Sequence, residues 1–284
     1  NETDIVNRRI TGELLQRQSQ ILSRLLEAKD ALRQQEQGEE RESRSAKDLN
    51  HEIPDQLKNI LRNQQSVNDF FQQFQPEYVI DAAARVGGIF ANDHYPYTFI
   101  MDNLQIQNNL INASFNNHVK KFIFLGTSCV YPKICSQPIK EEYLLSGYLE
   151  PTNQPYAIAK IAGVKMCEAY NDQYGCDFVS LMPTNLYGIN DNFDLNTSHV
   201  LPAMIREFDD AVNAKSNVTL WGTGAPKREF LHTDDLAQAI LLLMEKYDQD
   251  QHINVGSSEE ITIKDLANLI SEISGFSGEI KWDS

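Results

Sequence analysis

Three short apolar runs constrain the fold of this chain more than any motif does. Tyr78–Ala84, Lys121–Gly126 and Asp177–Pro183 are separated by long stretches of helical periodicity. A strand that is apolar along its whole length must be covered on both faces, which a parallel sheet flanked by helices provides. Val67, Phe70, Phe71 and Phe74 space an amphipathic helix that ends before Pro76, and residues 96–117 and 155–174 read as two long helices. Beyond Asn190, helices over 198–213, 233–247 and 262–274 alternate with strands near 218–221 and 253–255. The expected class is α/β, a parallel sheet with helices on both faces and a small C-terminal lobe. No internal repeat is present.

Residues 1–63 differ from the rest in composition. They contain no Trp, Tyr or Phe and are nearly neutral, so the net charge of −15 resides almost wholly in the remainder. Ile10, Leu14, Ile21, Leu22, Leu25, Ala28 and Leu32 fall mostly at helical spacing, which predicts a helix over about 10–37 that could serve as a coiled-coil strand. Gln18 interrupts that seam, residues 38–50 read as a charged linker, and Pro54 suits the first turn of another short helix. The acidic balance, with a pI of about 4.8, argues against a nucleic-acid binder held by backbone charge. No apolar run approaches the roughly 18 residues of a membrane span, and no signal-peptide pattern is seen. Cys129, Cys135, Cys167 and Cys176 form no CxxC pair and no zinc-spaced cluster, so no metal is expected. Free thiols suit a reducing cytoplasm.

The chemistry is carried by Pro155-Tyr156-Ala157-Ile158-Ala159-Lys160 and, upstream, Thr127-Ser128-Cys129-Val130-Tyr131-Pro132. Tyr156 and Lys160 share a helix face, about 6 Å apart along the axis. A free tyrosine is too weak an acid to protonate an alkoxide efficiently near neutrality, and a nearby ammonium would lower its pKa. Thr127 and Ser128 follow the strand at 121–125, at the edge where open α/β sheets hold ligands. Alone, a tyrosine and lysine at this spacing are usually coincidence; the strand-Gly-Thr-Ser element makes them a proton-relay site for carbonyl reduction.

From about Val67 onward the chain resembles the extended short-chain dehydrogenases/reductases, in the branch that makes GDP-L-fucose. The resemblance rests on Ala82-Ala83-Ala84-Arg85-Val86-Gly87-Gly88-Ile89, on Leu149 through Tyr156, and on Met182-Pro183-Thr184-Asn185-Leu186-Tyr187-Gly188. It also rests on Asp191-Asn192-Phe193 with Asn196 through Val200, and on Trp221 through His232. It implies an incomplete Rossmann-like sheet over 64–189, a substrate lobe over 190–284 interleaved with it, and an unrelated helical segment over 1–63. It implies conversion of GDP-4-keto-6-deoxy-D-mannose to GDP-L-fucose: inversion at C3 and C5, then reduction of the C4 ketone by NADPH. By the same resemblance, Tyr156 donates the proton to the C4 oxygen, and Lys160 lowers its pKa and holds the nicotinamide ribose. Thr127 takes the hydroxyl position where serine is usual, and Cys129 and His199 are the acid/base pair of epimerisation. Without the resemblance, Cys129 reads as a small buried residue and His199 as a surface histidine. Leu125, Gly126, Ser128, Pro183, Thr184, Asn185, Leu186 and again His199 are implied at the NADP cofactor. Trp221 and Arg228 are implied at the GDP end, although Arg228 also reads as a surface ion pair. A cytoplasmic homodimer is implied, with no membrane or nucleic-acid partner.

Two departures stand out. The Gly-x-x-Gly-x-x-Gly turn expected near the start is not in the sequence: Gly12 and Gly38 are isolated, and Gly87-Gly88 follows a later strand. The strand at 78–84 is therefore expected at a sheet edge unless residues 1–63 or another chain cover it. Glu207 stands where the branch usually has a basic residue near the phosphates, with Arg206 beside it. Two readings follow: an epimerase/reductase, or a truncated or fused derivative without reductase activity that acts at most as a helical interaction or oligomerisation protein.

Overall fold

The computed structural model describes residues 60–283. In chain order the elements begin α1 (Gln64–Phe74), β1 (Tyr78–Asp81), α2 (Ile89–His94), α3 (Pro96–Asn116), β2 (Lys121–Leu125), α4 (Gln154–Tyr174), β3 (Phe178–Pro183) and β4 (Asn185–Tyr187). They continue α5 (Val200–Ala214), β5 (Val218–Trp221), β6 (Lys227–His232), α6 (Thr233–Lys246), β7 (Ile253–Val255), β8 (Glu260–Thr262), α7 (Ile263–Ser274) and β9 (Ile280–Asp283). Two compact units result: among the described residues the first holds 60–186 and 229–259, and the second 187–228 and 260–283. The helix expected over about 10–37 and the linker over 38–50 lie outside the described residues.

The first unit is built on an all-parallel sheet in the order β1-β2-β3-β7. Alternation along β2 decides what covers it. Phe122 and Phe124 join Val67 and Phe71 of α1, Ile106 and Ile111 of α3, and Val164 of α4 in one buried cluster. Ile123 joins Val179 and Leu181 of β3 and Leu236 and Ile240 of α6 in another. Phe122, Phe124 and Phe178 are fully buried, each contributing about 1.5–3 kcal/mol by removal from water. β1 is the outer strand among the described residues, with Tyr78 and Ile80 51% and 43% exposed.

Helix α4 is seated on the sheet by two devices. Gly163 brings it so near β2 that an added Cβ would lie 2.4 Å from Cζ of Phe124. Asn171 donates to the carbonyl of Phe178 and accepts from its N–H, both at 2.9 Å, which ties the last turn of α4 to the start of β3. The helix ends at Gly175, whose φ of 67° is the left-handed conformation that favours glycine. Gln107 of α3 donates to the carbonyl of Ala159 at 2.7 Å. Residues 60–62 are helical and tied to α3: Asn109 donates to the carbonyl of Leu61 at 2.9 Å, and Arg62 pairs with the buried Asp102.

The second unit has its own core. Helix α5 packs against α7, and Phe208 meets Phe276 edge-on with centroids 5.1 Å apart. β5 pairs in parallel with β9, Leu220 opposite Trp282. The chain passes between the units inside β4, again inside β6, and a third time between β7 and β8.

Candidate active site

The candidate residues of the first unit converge at the C-terminal ends of β2 and β3. Leu125 closes β2, opposite Leu181 in register, and Gly126 continues the ladder by donating to the carbonyl of Leu181 at 2.8 Å. A Cβ at Gly126 would stand 2.5 Å from the sulfur of Met182, so a larger residue here would force that side chain to shift. Thr127 is extended and caps the short 3-10 turn Ser128–Val130, its Oγ1 accepting from the N–H of Cys129 at 3.3 Å. Thr127, Ser128 and Cys129 are all half-buried. The turn is pinned by Tyr131, which donates to Asn254 Oδ1 at 2.5 Å.

Tyr156 enters from the first turn of α4 and shares a side-chain hydrogen bond with Thr127. Its ring meets the buried Phe99 edge-on, centroids 6.3 Å apart. Burial holds its phenol well above the ordinary range, a thiolate at Cys129 would push it further, and the Thr127 bond opposes both. Lys160 is 2% exposed, donates to the carbonyl of Leu125 at 2.8 Å, and has its ammonium 4.6 Å from the centroid of Phe124. Burial pushes its pKa down and the carboxylate of Asp81 holds it up.

In this geometry the influences on Tyr156 are burial, Cys129 and Thr127, while the Lys160 ammonium is held on the end of β2. Spacing of four residues places both on one helix face, but a flexible four-carbon side chain decides where its charge goes.

Pro183, Thr184, Asn185 and Leu186 lie beside this group in the sheet. Pro183 is opposite Val255, Thr184 N–H donates to Val255 O at 3.1 Å, and Asn185 donates to the carbonyl of Glu229 at 3.0 Å. Thr184 Oγ1 is buried without a partner. An unpartnered hydroxyl, a carbonyl and an ammonium at adjacent strand ends fit the sugar end of a dinucleotide.

The other candidates belong to the second unit. His199 precedes α5 and is exposed at its surface, yet desolvation holds its imidazole below the ordinary pKa. Trp221 is 77% exposed at the end of β5. Arg228 is exposed and donates to the carbonyl of Lys227 at 2.7 Å. The Gly222–Pro226 turn beside them is shaped by Gly224 at φ 71°, where a Cβ would meet the Trp282 ring at 2.7 Å. Glu207 is half-buried, which raises its carboxyl pKa, and Arg206 pairs with Asp210 at 2.9 Å. Among the described residues, no three His, Cys, Asp or Glu side chains are grouped to hold a metal ion.

A parallel sheet with this loop, tyrosine and lysine at its ligand edge defines a class, and the chain belongs to the NAD dependent epimerase/dehydratase family, whose profile matches residues 19–256. That range opens inside the 1–63 segment, which the sequence reading set apart as unrelated. Within the family, the chain is similar to GDP-L-fucose synthases. It is 55% identical to GDP-L-fucose synthase 1 of Arabidopsis thaliana over 224 residues, covering 78% of this chain and 69% of that one. It is 48% identical to GDP-L-fucose synthase of Escherichia coli over 234 residues, covering 79% and 73%. Among solved structures, a GDP-L-fucose synthetase from Naegleria fowleri bound to NADP superposes with a TM-score of 0.74 at 33% identity, covering 79% and 69%.

Proposed function

We propose that the chain is a GDP-L-fucose synthase-type enzyme, a 3,5-epimerase and NADPH-dependent 4-reductase of GDP-4-keto-6-deoxy-D-mannose. The observation that carries this reading is the joint placement of Tyr156 on Thr127 and of Lys160 on Leu125, at one end of the parallel sheet. NADPH, when bound, supplies the hydride for the C4 carbon. Lys160, Leu125 and Thr184 are the groups to hold its ribose and nicotinamide end. Tyr156 and Thr127 direct hydroxyls at the C4 oxygen, and Tyr156 gives it a proton. A phenol held above its ordinary pKa keeps that proton until negative charge develops on the substrate oxygen. Epimerisation needs one group to remove a carbon-bound proton and another to return it, and Cys129 and His199 take these roles. A neutral imidazole at His199, favoured by its lowered pKa, is able to exchange protons near neutrality. Trp221 and Arg228 hold the GDP end.

A cytoplasmic setting is supported by four cysteines that are held in no disulfide among the described residues. A homodimer is supported by Tyr97 of α3 and Tyr174 of α4, both exposed apolar residues. The alternative, a truncated or fused derivative without reductase activity acting at most through a helical segment over 1–63, is not favoured by the similarity to GDP-L-fucose synthases, and most of that segment lies outside the described residues.

The test is product analysis of the full chain with GDP-4-keto-6-deoxy-D-mannose and NADPH. The expected result is GDP-L-fucose with stoichiometric NADPH oxidation, and in Tyr156→Phe a loss of reduction while solvent deuterium still enters C3 and C5. Reduction unaffected by Tyr156→Phe would overturn the reading.

A further inference from the structure

We propose that Asp81 is a positioning residue for Lys160: the carboxylate at the end of β1 is the buried counter-charge that keeps the α4 ammonium protonated and held at the end of β2. Asp81 is the last residue of β1 and stands opposite Phe124 in register. The Phe124 ring is the surface on which the Lys160 ammonium rests, and the next residue, Leu125, accepts its hydrogen bond. Two opposite charges, each on a residue only 2% exposed, are thus built into one strand pair and the helix above it. Asp81 Oδ1 accepts from the N–H of Ala83 at 3.1 Å, while Oδ2 is buried with no hydrogen-bond partner.

A carboxylate in this position has no reason to survive in an apolar strand by itself, because an isolated buried charge is strongly unfavourable. A lysine whose ammonium lies on an aromatic ring in the interior has the same difficulty. Each relieves the other. Burial pushes the Asp81 carboxyl up to about 6, and the Lys160 ammonium is the first influence opposing it. Burial pushes Lys160 down, and the charge that holds it up is Asp81. The surrounding groups are of other kinds. Cys167 of α4 feels Asp81 and is raised to about 12 by burial, so it stays a neutral thiol. Asp102 of α3 is committed to Arg62 and Arg85. Tyr156, Thr127 and Cys129 form their own group at the start of α4.

The consequence is that ionised Asp81 favours the charged form of Lys160, and that Lys160 loses this counter-charge as pH falls through about 6. The importance of this for carbonyl reduction rests on the reading of Lys160 as the reductase lysine. The coupling of the two charges does not, and the experiment uses neither NADPH nor sugar.

The test is a carbon NMR titration of the full chain, following the Asp81 carboxyl and the Lys160 Cε resonances, assigned by their loss in Asp81→Asn and Lys160→Met. In the wild-type chain, Lys160 Cε is expected to show a second inflection at the pKa of Asp81. In Lys160→Met the Asp81 titration moves upward, and in Asp81→Asn the Lys160 titration moves downward by the same amount, since coupling between two sites is reciprocal. Asp81 titrating unchanged in a folded Lys160→Met overturns the proposal. So does a wild-type Lys160 curve without the second inflection, a result that holds even where a variant does not fold.

Discussion

Substituting Gly163 by alanine sets two well-understood effects against each other. In a helix interior, Gly→Ala gains about 1 kcal/mol from propensity alone. Here the new methyl would lie 2.4 Å from Cζ and 2.7 Å from Cε1 of Phe124, and 3.1 Å from Cδ of Gln107. Ordinary carbon contacts sit at about 3.5–4.0 Å, so the ring would have to retreat by about 1 Å. It has nowhere to go: Phe124 is fully buried, lies between Asp81 and Ser180 in the sheet, and carries the Lys160 ammonium. Overpacking of this kind costs about 1–3 kcal/mol, and a contact this short belongs at the upper end. The net expectation is a loss of about 2 kcal/mol, read as a lower urea midpoint at unchanged slope in far-UV circular dichroism. Gly175→Ala serves as the comparison. Nothing lies within 4 Å of its added Cβ, so its loss of about 1 kcal/mol comes from the positive φ alone. A Gly163→Ala midpoint equal to or above that of the wild type would show that propensity wins and that α4 is not seated on Phe124 as described.

Three further outcomes are expected. Asn171→Ala leaves both backbone groups of Phe178 without their buried partner and costs about 2–3 kcal/mol in the same urea assay; a loss below about 0.5 kcal/mol would mean the pair is dispensable. Because the folded pKa of Asp81, about 6, exceeds its ordinary 3.8, the stabilisation tied to its protonated form is complete below 3.8 and lost as pH rises through 6. Unfolding free energies measured across that window should therefore fall with pH in the wild type relative to Asp81→Asn, and parallel curves would reject this. Cys129→Ser and His199→Asn should each slow deuterium entry at C3 or C5 of the substrate by about 100-fold or more, as followed by proton NMR. An equal slowing in Tyr156→Phe would abolish the division between epimerising and reducing groups.

β2 and β3 were legible because they are buried along nearly their whole length and so read as apolar runs, and β1 read as a third run although Tyr78 and Ile80 are exposed on it. The strands that were not legible lack that signature. β6 opens with exposed Lys227 and Arg228 and becomes buried only at Leu231 and His232, so no run forms. β4 and β8 are three residues each, shorter than any periodicity can mark, and β9 alternates half-buried Ile280 and Trp282 with exposed Lys281 and Asp283. The site was legible in its residues and not in its electrostatics. Helical spacing found Tyr156 and Lys160, but the path of the lysine side chain to Leu125 depends on Phe124 and Asp81, which arrive from two other elements. Asp81 carried a signal of its own, a single carboxylate within an otherwise apolar strand. Read as part of the run Tyr78–Ala84, it drew no attention to itself.

The order in which β3 gains its neighbours bears on how the chain is made. Its partner on one side, β2, precedes it, while Leu181 waits for Ile253 on the other. Between them, a ribosome must first deliver the 187–228 portion of the second unit. During that interval the emerging chain displays the unfilled flank of its most apolar strand, the kind of surface that chaperones bind and that aggregates nucleate on. Interrupting synthesis anywhere between β4 and β7 would release a polypeptide with that flank permanently open, so intermediate-length products of this chain are expected to be insoluble.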